Sequence, residues 1–507
     1  MLPDDQTADR AGLLMRSRRS MFATLAQKIV TPGLSFAITI LLARGLSKQE
    51  YGVYGVFQGL LPYAALASSL GLGYVFLRYI PEYHARGDEG LVKRLVNVGA
   101  ILRLVAAVVT LLLALAFYGW LGAFFHVAGY RDLFAVFCLA MLLVFEATLL
   151  SQALNALFLH AYAVAAQVAY TVVKAVLLAV LVATGHLDLK GAIWLEVVSG
   201  AVILTGVALA FQRRVGRHVT STPGLAQERR RIARYAGFSV LNDAGGAVFS
   251  LSTDLLVIGH FLGATAVAPY YLASQLVGRL GKLNPVVGFQ TVVTPMFFTK
   301  YAGDRARTTE MYRLLTKLSL VVVVPMVCVY PILGRQFIEL VGGARYEKAY
   351  LLVGILIALG PVDAFAYPTG LVLQALERVD HVFYSRFFAL YNLGASIVLV
   401  QRFGLVGAAV ATASAVTLKN AYLTFWAVRL GGVSIPWGAI LRLLANSAVA
   451  AAVAFVVSRL VGGTAALVGG GILSVAAFLA IGRVNRVFTA DEGVLINRLL
   501  GRRAWFL

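Results

Sequence analysis

Apolar residues run along this chain in stretches of about twenty or more, the length that crosses a bilayer as an α-helix, with short charged breaks between them. Read between the breaks, the chain gives fourteen such stretches: 21–43, 51–77, 95–118, 131–152, 164–184, 191–211, 235–262, 269–298, 315–334, 349–374, 384–400, 404–428, 440–459 and 464–482. Within them apolar and polar residues do not alternate, so the spans are helical and a β-barrel is excluded. An even number of spans puts both ends of the chain on one side. The segments on that side hold 29 Lys and Arg, and the opposite loops hold 9, which assigns both tails to the cytoplasm.

The most basic inside segment, 212–234, follows the sixth span and carries seven arginines. It divides the chain into an N-tail (1–20), a first six-helix bundle (21–211), the linker (212–234), a second six-helix bundle (235–430), two further spans (431–482) and a C-tail (483–507). A weak internal echo supports two like halves. At an offset of 216, Leu46–Leu60 and Leu262–Leu276 both begin and end in Leu and place Tyr54 against Tyr270. Halves of six spans keep the same orientation.

Composition agrees with this reading and narrows it. Of 507 residues, 60% are hydrophobic and 13% charged, with a mean hydropathy of +0.82. A water-soluble fold of this size cannot hide that much apolar surface. The net charge of +21 follows from basic inside loops, so it does not call for a nucleic-acid partner. The two cysteines, Cys138 and Cys328, lie inside apolar runs and make neither a disulfide framework nor a metal cluster. The first apolar run is too long for a signal peptide. The sequence has no phosphate-binding loop ending in Gly-Lys-Ser/Thr and no His-Glu-x-x-His, so neither ATP hydrolysis nor metal-assisted hydrolysis is encoded and no cofactor is expected. Work must then come from an ion gradient, with H⁺ or Na⁺ as coupling ion, from the membrane potential or from the substrate gradient.

The informative residues are ionisable groups at membrane depth, which are costly and usually face a cavity or one another. The bases are Lys28, Arg103, Lys174, Arg279, Lys282 and Lys419; the acids are Glu146, Glu196, Asp254, Asp363 and Asp243. Arg279 and Lys282, three apart, share a helix face, and Asn284-Pro285 predicts a kink beside them. Thr31-Pro32-Gly33, one turn after Lys28, predicts another break. Lys28 and Arg103 are close enough to the inner face to snorkel. Lys174 and Lys419 are candidates for structural ion pairs with Glu146, Glu196 or Asp363. Arg78 ends its span at the inner face, where a base serves either as an anchor or as a cavity charge. Asp254, among Ser250, Ser252 and Thr253, suits a proton or cation site or the partner of a cavity base.

The run Leu41–Tyr83 resembles the opening of Wzx-type polysaccharide flippases, in the superfamily that also holds the lipid II flippase MurJ and the MATE multidrug exporters. The resemblance rests on Arg44-Gly-Leu-Ser-Lys-Gln-Glu-Tyr-Gly52, on Gly71-Leu-Gly with Arg78 after it, on Asp254 before Ile258–Gly263 with Tyr270 and Ala273, and on Phe337–Gly343 with Tyr346. It implies an all-α polytopic protein: two pseudo-symmetric six-helix bundles around a central cavity, plus two C-terminal helices, working by alternating access. It implies a cationic cavity built from Lys28, Arg78, Arg279 and Lys282, with Asp254, Glu146 and Asp363 in coupling or charge balance. The implied cargo is an undecaprenyl-pyrophosphate-linked oligosaccharide, moved from the inner to the outer leaflet of a bacterial cytoplasmic membrane for surface polysaccharide or O-antigen synthesis. Membrane lipids, a polysaccharide polymerase and chain-length machinery are the implied partners. A MurJ-like lipid II flippase and a MATE-like small-molecule exporter are the alternatives. A membrane glycosyltransferase, the enzyme alternative, would need a larger outside loop.

Overall fold

The computed structural model describes residues 31–216, 225–248, 250–288 and 304–500, with positions 290, 293, 294, 297 and 298 between them. Among the described residues every regular element is a helix. Two compact units divide the chain, the first ending at Ala268 and the second beginning at Pro269. The first contains α1 (31–45), α2 (Lys48–Ser69), α3 (Leu72–Ala85), α4 (Glu89–Ala116), α5 (Tyr118–Phe124), α6 (Arg131–Ala156), α7 (His160–Ala183), α8 (Leu189–Arg214), α9 (Leu225–Val248) and α10 (Leu251–Leu262). The cut falls within α11 (Ala264–Gly281). The second unit continues with α12 (Pro285–Gly288), α13 (Arg305–Gly342), α14 (Glu347–Ile357), α15 (Gly360–Asp363), α16 (Ala366–Ala375), α17 (Val379–Tyr384), α18 (Phe387–Gly431), α19 (Trp437–Leu460), α20 (Gly463–Asn485) and α21 (Ala490–Leu500).

The Ser-Lys-Gln-Glu-Tyr-Gly motif has a local physical reason. Ser47 caps α2: its hydroxyl accepts from the Glu50 amide at 3.2 Å, and the Glu50 carboxylate accepts from the Ser47 amide at 2.9 Å, a reciprocal capping box. The other Glu50 oxygen accepts from the Leu189 amide at 3.2 Å, so the same carboxylate ties the start of α2 to the start of α8. Two residues on, Gly52 lies so close to the α10–α11 junction that a Cβ there would meet the Ala264 carbonyl oxygen at 1.9 Å.

Breaks in the helices fall where the backbone is forced. Proline 62 stays inside α2; the 52° bend between α2 and α3 comes at Leu70 and Gly71, both left-handed. Past α11 the chain turns at Lys282–Leu283, and Asn284 restarts it: its side-chain oxygen accepts from the Val286 amide at 3.0 Å, with Pro285 opening α12. The expected kink is therefore a full helix break. Within α18 only Gly404 is non-helical, at φ 59° and ψ −137°, a region that side-chain-bearing residues avoid. It splits the element at the boundary expected between 384–400 and 404–428. Thr31–Gly33 open the described part of the helix 31–45, and the residues before them, where the expected break would fall, lie outside the described residues.

The two halves echo each other more fully than the letters do. Helix starts at Lys48 and Ala264, Glu89 and Arg305, and Arg131 and Glu347 are each 216 positions apart, as are the 3₁₀ turns opening at Ala128 and Ala344. Asp88 and Asp304, the same distance apart, both cap their helices through the side chain. Leu154-Asn-Ala-Leu and Leu373-Gln-Ala-Leu both lead into a left-handed residue, Phe158 and Glu377, each at φ 58°. In both, the same closing bond follows, from Leu159 to Leu154 and from Arg378 to Leu373, at 2.9 Å.

Among the described residues nine helices are long and apolar enough to cross a membrane, ten with the bent α2–α3 pair counted as one span. The fourteen expected spans are not all matched. Expected span 1 is described only from residue 31, span 7 is broken between α9 and α10, span 8 is interrupted after Gly281 and only partly described beyond it, and spans 11 and 12 merge in the 52 residues Asp380–Gly431. Two segments outside the expected spans carry helices of their own. The linker 212–234 is helical from Leu225, because Ile232 and Ala236 pack on the core of the first unit made by α3, α4, α6 and α8. The tail 483–507 contains α21, whose Ile496 joins the core of the second unit together with Phe488 just before it.

Gly52→Ala should destabilise the protein by about 1–3 kcal/mol, the usual cost of overpacking, because the obstacle is backbone. Gly119→Ala, where a Cβ meets nothing, should unfold like the wild type. Thermal unfolding of the two variants in detergent checks both.

Candidate functional site

Charged side chains that helix burial takes out of water must find partners. In the first unit this produces a buried polar cluster. Lys174 on α7 donates to Glu196 on α8 at 2.5 Å. Tyr54 and Gln58, one turn apart on α2, donate to the same carboxylate oxygen, Gln58 at 3.4 Å. Lys174 also reaches the Tyr170 hydroxyl at 3.4 Å. Of the three acids open to Lys174 in the sequence, the fold selects Glu196. Nearby in the chain, Glu146 on α6 and Arg103 on α4 are both buried and act on each other electrostatically. They form no direct ion pair, and one Glu146 oxygen has no hydrogen-bond partner among the described residues. Arg103 lies against the Phe145 ring at 5.5 Å, so it faces the unit's interior rather than snorkelling.

Asp254 is fully buried in the first turn of α10, where the helix dipole favours a negative charge. Beside it the Thr253 and Tyr63 hydroxyls share a hydrogen bond of 2.5 Å. Arg78, on α3, belongs to a different constellation. It lies 3.3 Å from Glu82, a turn away, and Glu82 also takes Arg86 at 2.5 Å and Arg231 of α9 at 3.3 Å. Lys28 lies outside the described residues.

In the second unit the half-buried Arg279 donates to Gln275 at 3.4 Å on the preceding turn of α11. Lys282 does not share that helix: it lies exposed in the turn after Gly281, where proline 285 has ended the run. Asp363, at the end of α15, accepts from Asn420 at 3.0 Å and is the opposite charge felt by Lys419. Of the three acids open to Lys419 in the sequence, Asp363 is the one whose charge acts on it. Lys317, which the apolar pattern does not single out, is buried and gives both 2.8 Å bonds to Glu492 at the start of α21. Its signal was Thr489-x-x-Glu492, a capping box in which Glu492 accepts from the Thr489 amide at 2.8 Å. The same pattern does not single out Glu82, Arg86, Glu228 and Arg231 as a group. Glu82 stands four residues from Arg78 and from Arg86, a spacing that a helix turns into contact. Among the described residues no three His, Cys, Asp or Glu side chains gather to hold a metal.

Lys174→Met should cost about 3–5 kcal/mol of stability, because it leaves a buried carboxylate uncompensated. Adding Glu196→Met should recover most of that loss. A double-mutant cycle in thermal or denaturant unfolding measures it.

The comparisons with known proteins accord with this architecture. The fold is similar to that of the lipid II flippase MurJ in its inward closed conformation, with a TM-score of 0.71 at 13% identity over 95% of this chain and 99% of that one. It is also similar to an inward-facing MATE multidrug transporter, with a TM-score of 0.66 at 15% identity over 81% of this chain and 98% of that one. By sequence the chain is 24% identical to a probable low-salt glycan biosynthesis flippase of Haloferax volcanii over 78% of its own length and 80% of the relative's. It is 32% identical to a teichuronic acid biosynthesis protein of Bacillus subtilis (strain 168), over 28% of its own length and under a third, 29%, of the relative's. A lipopolysaccharide biosynthesis protein of Escherichia coli (strain K12) is 26% identical over 35% of this chain and 36% of its own. The polysaccharide biosynthesis protein family matches residues 17–301, more than half of the sequence, and the chain belongs to that family.

Proposed function

We propose that this polytopic membrane protein is a flippase that carries an undecaprenyl-pyrophosphate-linked oligosaccharide from the inner to the outer leaflet of the cytoplasmic membrane, by alternating access and without ATP hydrolysis. The observation that carries the reading is the union, in one chain, of membership in the polysaccharide biosynthesis protein family with the fold of MurJ and MATE transporters. Bases suited to an anionic headgroup support it: Arg78 and Arg279 are half-exposed, Lys282 is exposed, and Lys28 stands in the sequence with them. A guanidinium at position 279 offers a planar fork for phosphate oxygens. Both tails are placed in the cytoplasm, as the distribution of bases favours.

The drive follows from charge. A pyrophosphate diester carries about two negative charges, and each gains about 2.3 kcal/mol on crossing 100 mV. With the inside negative, outward movement gains roughly 4–5 kcal/mol, less what the neutralising bases screen. Bases returning empty across the same field reset the protein. A coupling ion entering at Asp254 adds to the drive, since a carboxylate in a fully buried position changes charge only by binding a cation or a proton.

Reconstituted vesicles with a labelled lipid-linked sugar and an imposed potassium-diffusion potential test this. Flipping should proceed without ATP and accelerate with potential. Arg279→Gln should slow it about tenfold, as expected for loss of a charge-assisted phosphate contact. Asp254→Asn should abolish its dependence on an ion or pH gradient while the protein still folds. Flipping that needs ATP and ignores potential and ion gradients overturns the mechanism. Transport of drug cations in place of lipid-linked saccharide would give the chain to the exporter reading, and selective transport of lipid II to the MurJ-like one.

A further inference from the structure

At the end of α3 three arginines surround two carboxylates. Arg78, Arg86 and Arg231 meet at Glu82, and Arg231 and Arg86 also approach Glu228, at 3.3 and 3.9 Å. The cluster therefore keeps an excess positive charge. Its layering is unusual for an ordinary surface network. The acids are the inner members, with side chains 16% and 24% exposed, and the arginines the outer ones, at 54%, 57% and 48%. An anion arriving from water meets guanidinium edges first. Each guanidinium has five N–H donors, and most of the fifteen or so in the cluster are not used by Glu82 and Glu228.

The floor of the cluster is fixed. The Tyr83 hydroxyl donates to Glu228 at 2.7 Å, and Arg231 lies over the Tyr79 ring at 5.0 Å. Tyr79 is stacked on Tyr83 and meets Tyr235 edge to face. An exposed ion network adds little to stability, so holding α9 in place does not explain three arginines where one would serve. Three donor forks about one small centre do match the geometry of phosphate oxygens.

We propose that Arg78, Arg86 and Arg231 form a receiving site for a diphosphate headgroup, held closed when empty by Glu82 and Glu228 acting as built-in competitors. A diphosphate, with more negative charge than one carboxylate and more acceptor oxygens, displaces Glu82 from the arginines. Arg231 is then released from α3, so occupancy loosens α9 at its first turns. The chemistry is that of phosphate on a lipid, and both a lipid-linked diphosphate cargo and bulk anionic phospholipid could supply it; the proposal commits to the diphosphate. It rests on the flippase reading for its place on the inner side, and not for its ligand.

The test is equilibrium binding of geranylgeranyl diphosphate and of inorganic pyrophosphate to the full chain in phosphatidylcholine nanodiscs. Glu82→Gln should tighten binding of both probes about tenfold, because it removes the competitor. Arg86→Gln and Arg231→Gln should each weaken it about tenfold, and Arg86→Lys, which keeps the charge and loses the fork, should weaken it less. Lys190→Gln, an exposed base elsewhere, should bind like the wild type. Thermal unfolding run alongside shows that each variant is folded. Unchanged or weaker binding in Glu82→Gln overturns the competitor role, and wild-type binding in both arginine variants overturns the site. Equal competition by phosphatidylglycerol overturns the assignment to a diphosphate. Flipping of lipid-linked sugar is measured separately: loss of flipping with intact diphosphate binding refutes the transport reading and leaves this site standing, and the reverse result does the opposite.

Discussion

A bilayer core offers no water to a backbone amide or carbonyl, so every such group must be bonded within its own segment. That constraint makes the whole described chain helical, and it also determines where the helices may stop. Each interruption here supplies a substitute partner or removes the need for one. Asn284 gives its side-chain oxygen to the restarting helix, and Pro285 brings no amide that would need one. Phe158 and Glu377 turn left-handed so that the next amide reaches back to Leu154 and Leu373. Gly404 takes a conformation closed to residues with a Cβ. Polar geometry at membrane depth is thus concentrated at a few breaks, and one of them, the turn at Phe158 and Glu377, recurs in the two halves.

The same scarcity of water governs the charged residues. Lys174, buried on α7, is tolerable because Glu196 compensates it, and Tyr54 and Gln58 donate to the same carboxylate oxygen. Lys317 is tolerable because Glu492 gives it two short bonds while also capping α21. Such pairs are consumed by the fold. Groups left with spare capacity are different in kind: one oxygen of Glu146 without a hydrogen bond among the described residues, and the open forks of Arg78, Arg86 and Arg231. Function is better sought among groups that the fold has not already spent.

Legibility from sequence followed the range of the interactions. Spans three to six, thirteen and fourteen were read to within a few residues, because a hydrophobic run is a local property. The motif around Ser47 and Glu50 was recognised as a family signature, and its cause, a capping box three residues wide, was there to be read. The partner of Lys174 was not, since Glu146, Glu196 and Asp363 were equally plausible until packing placed α7 against α8. The helix inside the linker was hidden for the same reason. Arg229-Arg230-Arg231 reads as a solvated loop until Glu82, 149 positions away, is brought beside it. Lys28, the first of the proposed cavity bases, lies outside the described residues, and the three others fall in different units.

Charge placement along the chain then has two distinct meanings that a net charge of +21 conceals. On the proposed topology, the bases of the inside loops orient the protein in the membrane, and for that purpose any Lys or Arg serves equally. Bases arranged around a carboxylate at defined distances carry geometric information, and there Arg and Lys are not equivalent. At the end of α3 all three bases are arginine, their carboxylates lie beneath them, and an aromatic floor fixes one of them in place. Orientation alone would require none of those features. Under the function proposed above, the protein carries an anionic cargo and needs a cationic site that is neutralised when empty, since an uncompensated cluster of like charges would both repel itself and trap the first anion it met. Carboxylates set deeper than the arginines satisfy that need, because the cargo can replace them from the outside without the charge ever being left bare.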